Sequence, residues 1–126
     1  MEEPTTVGLT AEGHDNLKRL KEHGYFAEMQ DAYRFAIALG LAHNARHPGS
    51  GTRGTIFNVG TLDPDRSIYN AIKALGGNGE APIYALAEEY AEWGVAEMIR
   101  SADKGSLSLA ALLEEAAEMT SSGSNQ

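Results

Sequence analysis

The sequence predicts an all-α fold, a compact bundle of about five helices, with a short extended stretch at the N-terminus and a long loop over residues 45–63. Three observations lead there. Apolar residues recur at i, i+3 and i+4 in successive segments, and helix start and stop signals bracket those segments. Only two short runs, at Thr5–Leu9 and Thr55–Val59, have an extended or β-prone character. A chain of 126 residues with no cysteine is one domain's length and long enough to bury a core without disulfides. Residues 1–119 are therefore expected to form a single helical domain, and residues 120–126 a disordered polar tail.

The elements follow in order. Thr10 can cap a first helix that buries Leu17 and Leu20, places Lys18, Arg19, Lys21 and His23 toward its C-terminal end, and stops at Gly24. A second helix is expected from about Ala27 to about Asn44. Ala32, Phe35, Ala36, Leu39 and His43 share one of its faces and Tyr33, Ile37 and Leu41 the neighbouring one, so apolar residues run nearly all round and mark it as central. Residues 45–63 are rich in Gly, Thr, Asn and Pro. A stretch of that length without its own structure is usually functional or mobile, and only Thr55–Val59 offers a strand, with Ile56 and Phe57 as anchors.

Asp63-Pro64 reads as a cap followed by proline at the first position of a third helix, with Ile68, Tyr69, Ile72 and Leu75 as its stripe and "GGNG" as its end. The fourth helix has the clearest pattern: Ile83, Leu86, Ala87, Tyr90, Ala91, Gly94, Met98 and Ile99 inward, with glutamates 88, 89, 92 and 97 mostly on the solvent side. A fifth helix would turn Leu109, Leu112, Leu113, Ala116 and Ala117 inward.

The formal charge is -8, unevenly spread. Residues 1–60 hold seven acids against six Lys and Arg, giving -1, and residues 61–126 hold eleven against four, giving -7. An acidic surface repels a nucleic-acid duplex by the same Coulomb force through which Lys and Arg attract it, so any DNA contact must come from the N-terminal half. The glutamates in "MEEPTTVGLT" stand where a signal peptide would be basic, and no segment approaches the apolar length of a membrane span. A cytoplasmic protein without membrane contact is expected.

Motifs with chemical content are few. His43 and His47 have the i, i+4 spacing that can place two imidazoles on one helix face for a divalent metal. They are weak candidates, because Pro48 follows at once and no glutamate sits beside the first histidine. The loop "GSGTRGT" lacks the preceding strand and the lysine at a following helix start that a phosphate cradle needs. Glu88-Glu89 and Glu114-Glu115 read as solubilising faces, not as paired catalytic carboxylates. No cofactor and no catalytic residue is expected. Trp93, among glutamates and away from the main stripe of its helix, is a candidate interface anchor beside Tyr90, and Arg53 and Phe57 in the 45–63 loop are candidate partner contacts.

Two resemblances bear on function. An extended stretch at Thr5–Leu9, a helix, Gly24, and a second helix with Asp31, Arg34 and Ile37 resemble the ribbon-helix-helix layout of small bacterial repressors. That resemblance implies a dimeric DNA-binding regulator built on residues 5–42, with Lys18, Arg19, Lys21 and Arg34 as candidate DNA contacts. Its strand, however, offers threonines and no basic side chain. From about Phe26 to Leu113 the "FAIALGLAH" helix, the loop leading to "IFNVGTLDPDRSIYNAIKAL" and "LAEEYAEWGVAEMI" with its leucine-rich sequel resemble the small accessory proteins of bacterial DNA phosphorothioation islands, the Dnd-associated, DndE-like proteins. This implies an all-helical accessory component of a DNA-modification or anti-phage system that acts through protein partners and self-associates as a homodimer or higher oligomer. DndE-like proteins owe DNA contact to exposed lysines, and the acidic C-terminal half departs from that pattern. Three functions stay open: a non-enzymatic protein-interaction or regulatory subunit, the DNA-binding regulator, and a metal-dependent enzyme using His43 and His47.

Overall fold

The computed structural model describes residues 3–47, 52–75 and 81–104. In chain order these form β1 (Thr6–Leu9), α1 (Ala11–Glu22), α2 (Met29–Ala42), β2 (Gly54–Asn58), the single turn α3 (Val59–Leu62), α4 (Ser67–Leu75) and α5 (Ile83–Asp103). The protein is mostly helical but not strictly all-α, because β1 and β2 pair as an antiparallel ribbon from Thr6–Asn58 to Leu9–Gly54, with a bulge between Val7 and Gly8. Each β-prone run is too short to stand alone. Together they satisfy one another's backbone groups across 49 positions of chain, the separation of Thr6 and Thr55. The expected long loop is accordingly shorter than the sequence suggests, since β2 and α3 occupy 54–62. The fifth helix expected at 109–117, the "GGNG" stop and the polar tail lie outside the described residues.

Local signals explain most helix ends. The Thr10 hydroxyl accepts the Gly13 amide at the start of α1, as an N-cap should. At its end Gly24, at φ +83°, donates to Lys21 O while Tyr25 donates to Leu20 O, the paired bonds of a Schellman cap. Asn44, at φ 50°, repeats that arrangement after α2, with its amide on Leu41 O and that of Ala45 on Gly40 O. Helix α4 begins at Ser67, three residues later than Asp63-Pro64 suggests, because Arg66 sits at φ 60° and interrupts the helical backbone. Asp63 nonetheless caps it: the buried carboxylate accepts the amides of Ile68 and Tyr69 and the hydroxyl of Tyr84 at 2.7 Å. Helix α5 is capped from far away, by Glu3, whose carboxylate accepts the amides of Ile83 and Tyr84 at 2.8 and 2.9 Å.

Helix α5 is the axis of the core, with α2 antiparallel to it. The two come close because small residues face each other. A Cβ on Gly94 would lie 2.2 Å from the Ala36 carbonyl oxygen, and one on Gly40 would lie 2.7 Å from that of Tyr90. Around this crossing Tyr33, Ile37, Leu39, Tyr90, Val95 and Met98 are buried, with Leu17 and Leu20 of α1 and Val7 and Leu9 of β1 closing the core from the other side. Each large apolar side chain buried in this way contributes about 1.5–3 kcal/mol relative to exposure.

Candidate functional site

Two features of the surface and near-surface carry more than packing. The first lies on the flank of α5 that its sequence pattern assigns to solvent. Glu92 is only 7% exposed, and its carboxylate accepts the Thr10 amide at 3.1 Å, the Thr10 hydroxyl at 2.7 Å and Arg53 Nε at 3.2 Å. One turn earlier Glu88 accepts the Gly8 amide at 2.9 Å, and the Tyr33 hydroxyl donates to the carbonyl of the same Gly8 at 3.0 Å. The outer edge of β1 is thus closed by side chains. Burial, opposed by the Gly8 amide and Arg53, raises the Glu88 carboxyl above its usual range, and burial likewise raises the Tyr33 hydroxyl, with Glu88 adding to it. Arg53 also donates to His47 O at 2.9 Å, while the His47 amide reaches Glu89 O at 3.0 Å and Arg46 pairs with the Glu89 carboxylate. Both ends of the 48–51 connection are therefore fastened to α5. This cluster is a clasp that joins the ribbon and α1 to α5, with its carboxylates turned toward backbone amides, a threonine and an arginine.

The second feature is a shallow apolar groove of about 150 Å³ between α2 and α4, lined by Arg34, Ile37, Ala38, Leu41, Ser67, Ile68 and Ala71. The lining positions on α2 are i, i+3, i+4 and i+7, so one helical face forms one wall. On α4 the stripe of Ile68 and Ala71 continues to Leu75, which is 76% exposed and the one large hydrophobic residue so exposed among the described residues. Arg34 closes one end of the groove, held there by bonds from its guanidinium to the carbonyls of Leu62 and Thr61. The sequence carries the signal for this wall in the second apolar face of α2, at Ile37 and Leu41. The opposite wall escapes notice because Ala71 and Ser67 look unremarkable in sequence.

The candidate partner residues are distributed differently from expectation. Tyr90 is fully buried with its hydroxyl unpartnered among the described residues, so it presents no surface in this conformation. Trp93 is half-buried, its ring 5.4 Å from the imidazole of His43. Arg53 belongs to the Glu92 clasp, and Phe57 packs edge-on against Tyr33 with ring centroids 5.2 Å apart. None of the four lines the groove. Glu88 and Glu92, read from sequence as solubilising, instead hold the fold together. Their helical position is compatible with either role, and only the return of the N-terminus onto α5 decides it.

Among the candidate DNA contacts, Lys18 and Lys21 are exposed on α1, Arg19 pairs with Asp103 at 2.6 Å, and Arg34 serves the end of α3. The strand that would enter a groove in a ribbon-helix-helix dimer, β1, is here paired within the chain on one edge and closed by Glu88 and Tyr33 on the other. His43 is the C-cap of α2 and His47 lies beyond the Asn44 reversal, so the two do not share a helix face. Among the described residues no group of three His, Asp or Glu side chains gathers as a metal site, and no helix is long and apolar enough to cross a membrane. Comparison with protein-family models, with curated proteins and with solved structures returns no match to this chain.

Proposed function

We propose that this chain is a non-enzymatic protein-interaction or regulatory subunit and that the α2–α4 groove is its contact surface. The observation that supports this reading is the groove itself: an apolar wall from each of two helices, continued by the exposed Leu75 and bounded by a basic side chain. Contiguous exposed apolar surface on a small domain marks interaction sites, and a groove with i, i+3, i+4, i+7 spacing on one wall suits an apolar helix. The setting, an accessory role in bacterial DNA modification or anti-phage defence, rests on the resemblance of residues 26–113 to Dnd-associated proteins.

Two measurements test the proposal. Light-scattering mass at two salt concentrations, with and without a random DNA duplex, is expected to be indifferent to the duplex; a salt-sensitive DNA complex would favour the regulator reading instead. Tagged full-length protein is then compared with its Ala71→Glu variant in capture from the same cells. A protein retained by the first and lost by the second, with the variant's helical circular dichroism unchanged, supports the groove; equal capture by both excludes it.

A further inference from the structure

We draw no further inference here: the strongest candidate, the shallow apolar groove between α2 and α4 with the exposed Leu75 beyond it, is the contact surface already proposed, and nothing in the structure shows what covers it.

Discussion

Helix α5 is gripped on two sides by two kinds of interaction. Toward α2 it presents glycine and apolar side chains, and the contact works through closeness, Gly94 against the Ala36 backbone. Toward α1 and β1 it presents Glu88 and Glu92, and the contact works through bonds to backbone amides, a threonine and an arginine. The first side resembles an organic crystal, where any added atom is felt. The second is a network in which each carboxylate satisfies donors that would otherwise be stranded. The amphipathic pattern of this helix therefore hides a second division, between a dry interface and a polar one, beside the solvent-facing strip at Ala96 and Arg100.

The largest expected effect falls on the polar side. Glu92→Ala removes the carboxylate that accepts Arg53 Nε and both Thr10 donors, a loss of about 3 kcal/mol in denaturant unfolding. Arg53→Met should cost less, because the Thr10 donors keep their carboxylate. If the two variants lose the same amount, the ion pair alone is the clasp. On the dry side Gly94→Val forces α2 and α5 apart and is expected to cost about 1–3 kcal/mol by the same measurement; a neutral result would mean that the crossing is looser than its geometry.

Tyr90→Phe sharpens the comparison from within the dry side. It removes a buried hydroxyl that lacks a partner among the described residues while keeping the ring under Arg46, so a gain of about 1 kcal/mol is expected, and a loss would reveal a bond the hydroxyl makes.

The smallest effect concerns Glu88. Burial pushes its folded carboxyl above the ordinary carboxylate value of 4.5, so the native state holds the proton more tightly than the unfolded chain. Stability contributed at this position is greatest on the acid side and declines as pH rises from that value through the folded one. Glu88→Gln, which still accepts from Gly8, should therefore flatten this decline in unfolding curves taken between acid and neutral pH. A variant with an unchanged pH profile would place the titration elsewhere.

Much of the helical frame is legible in sequence, for reasons local to each element. Thr10, Gly24, Asp63 and the stripe of α5 act on neighbours within a few residues, where periodicity and capping rules apply directly. The ribbon is half legible: both strands are β-prone, but their pairing is a long-range event that no local pattern encodes. The clasp is not legible at all, since Glu88 and Glu92 look like any solvated flank until Thr10 and Gly8 return to meet them. The groove lies between these cases. Its α2 wall follows from an excess of apolar faces on one helix, and its α4 wall depends on packing. Of the candidate partner residues, Tyr90 shows the limit most clearly, because a helix stripe cannot say which aromatic ring is the innermost.

The N-terminal segment makes its bonds with residues that are made some 80 positions later. Gly8 waits for Glu88, 80 positions on, Thr10 for Glu92, 82 positions on, and Glu3 supplies the cap of the helix to which both belong. During synthesis β1 thus emerges well before the residues that close its outer edge. Non-local contacts of this span carry a loop-closure cost before any return, which slows folding relative to a bundle of sequential helices. The β1 segment acts as a closing seam of the molecule, and the ribosome has delivered α5 as far as Glu92 before that seam can be sewn.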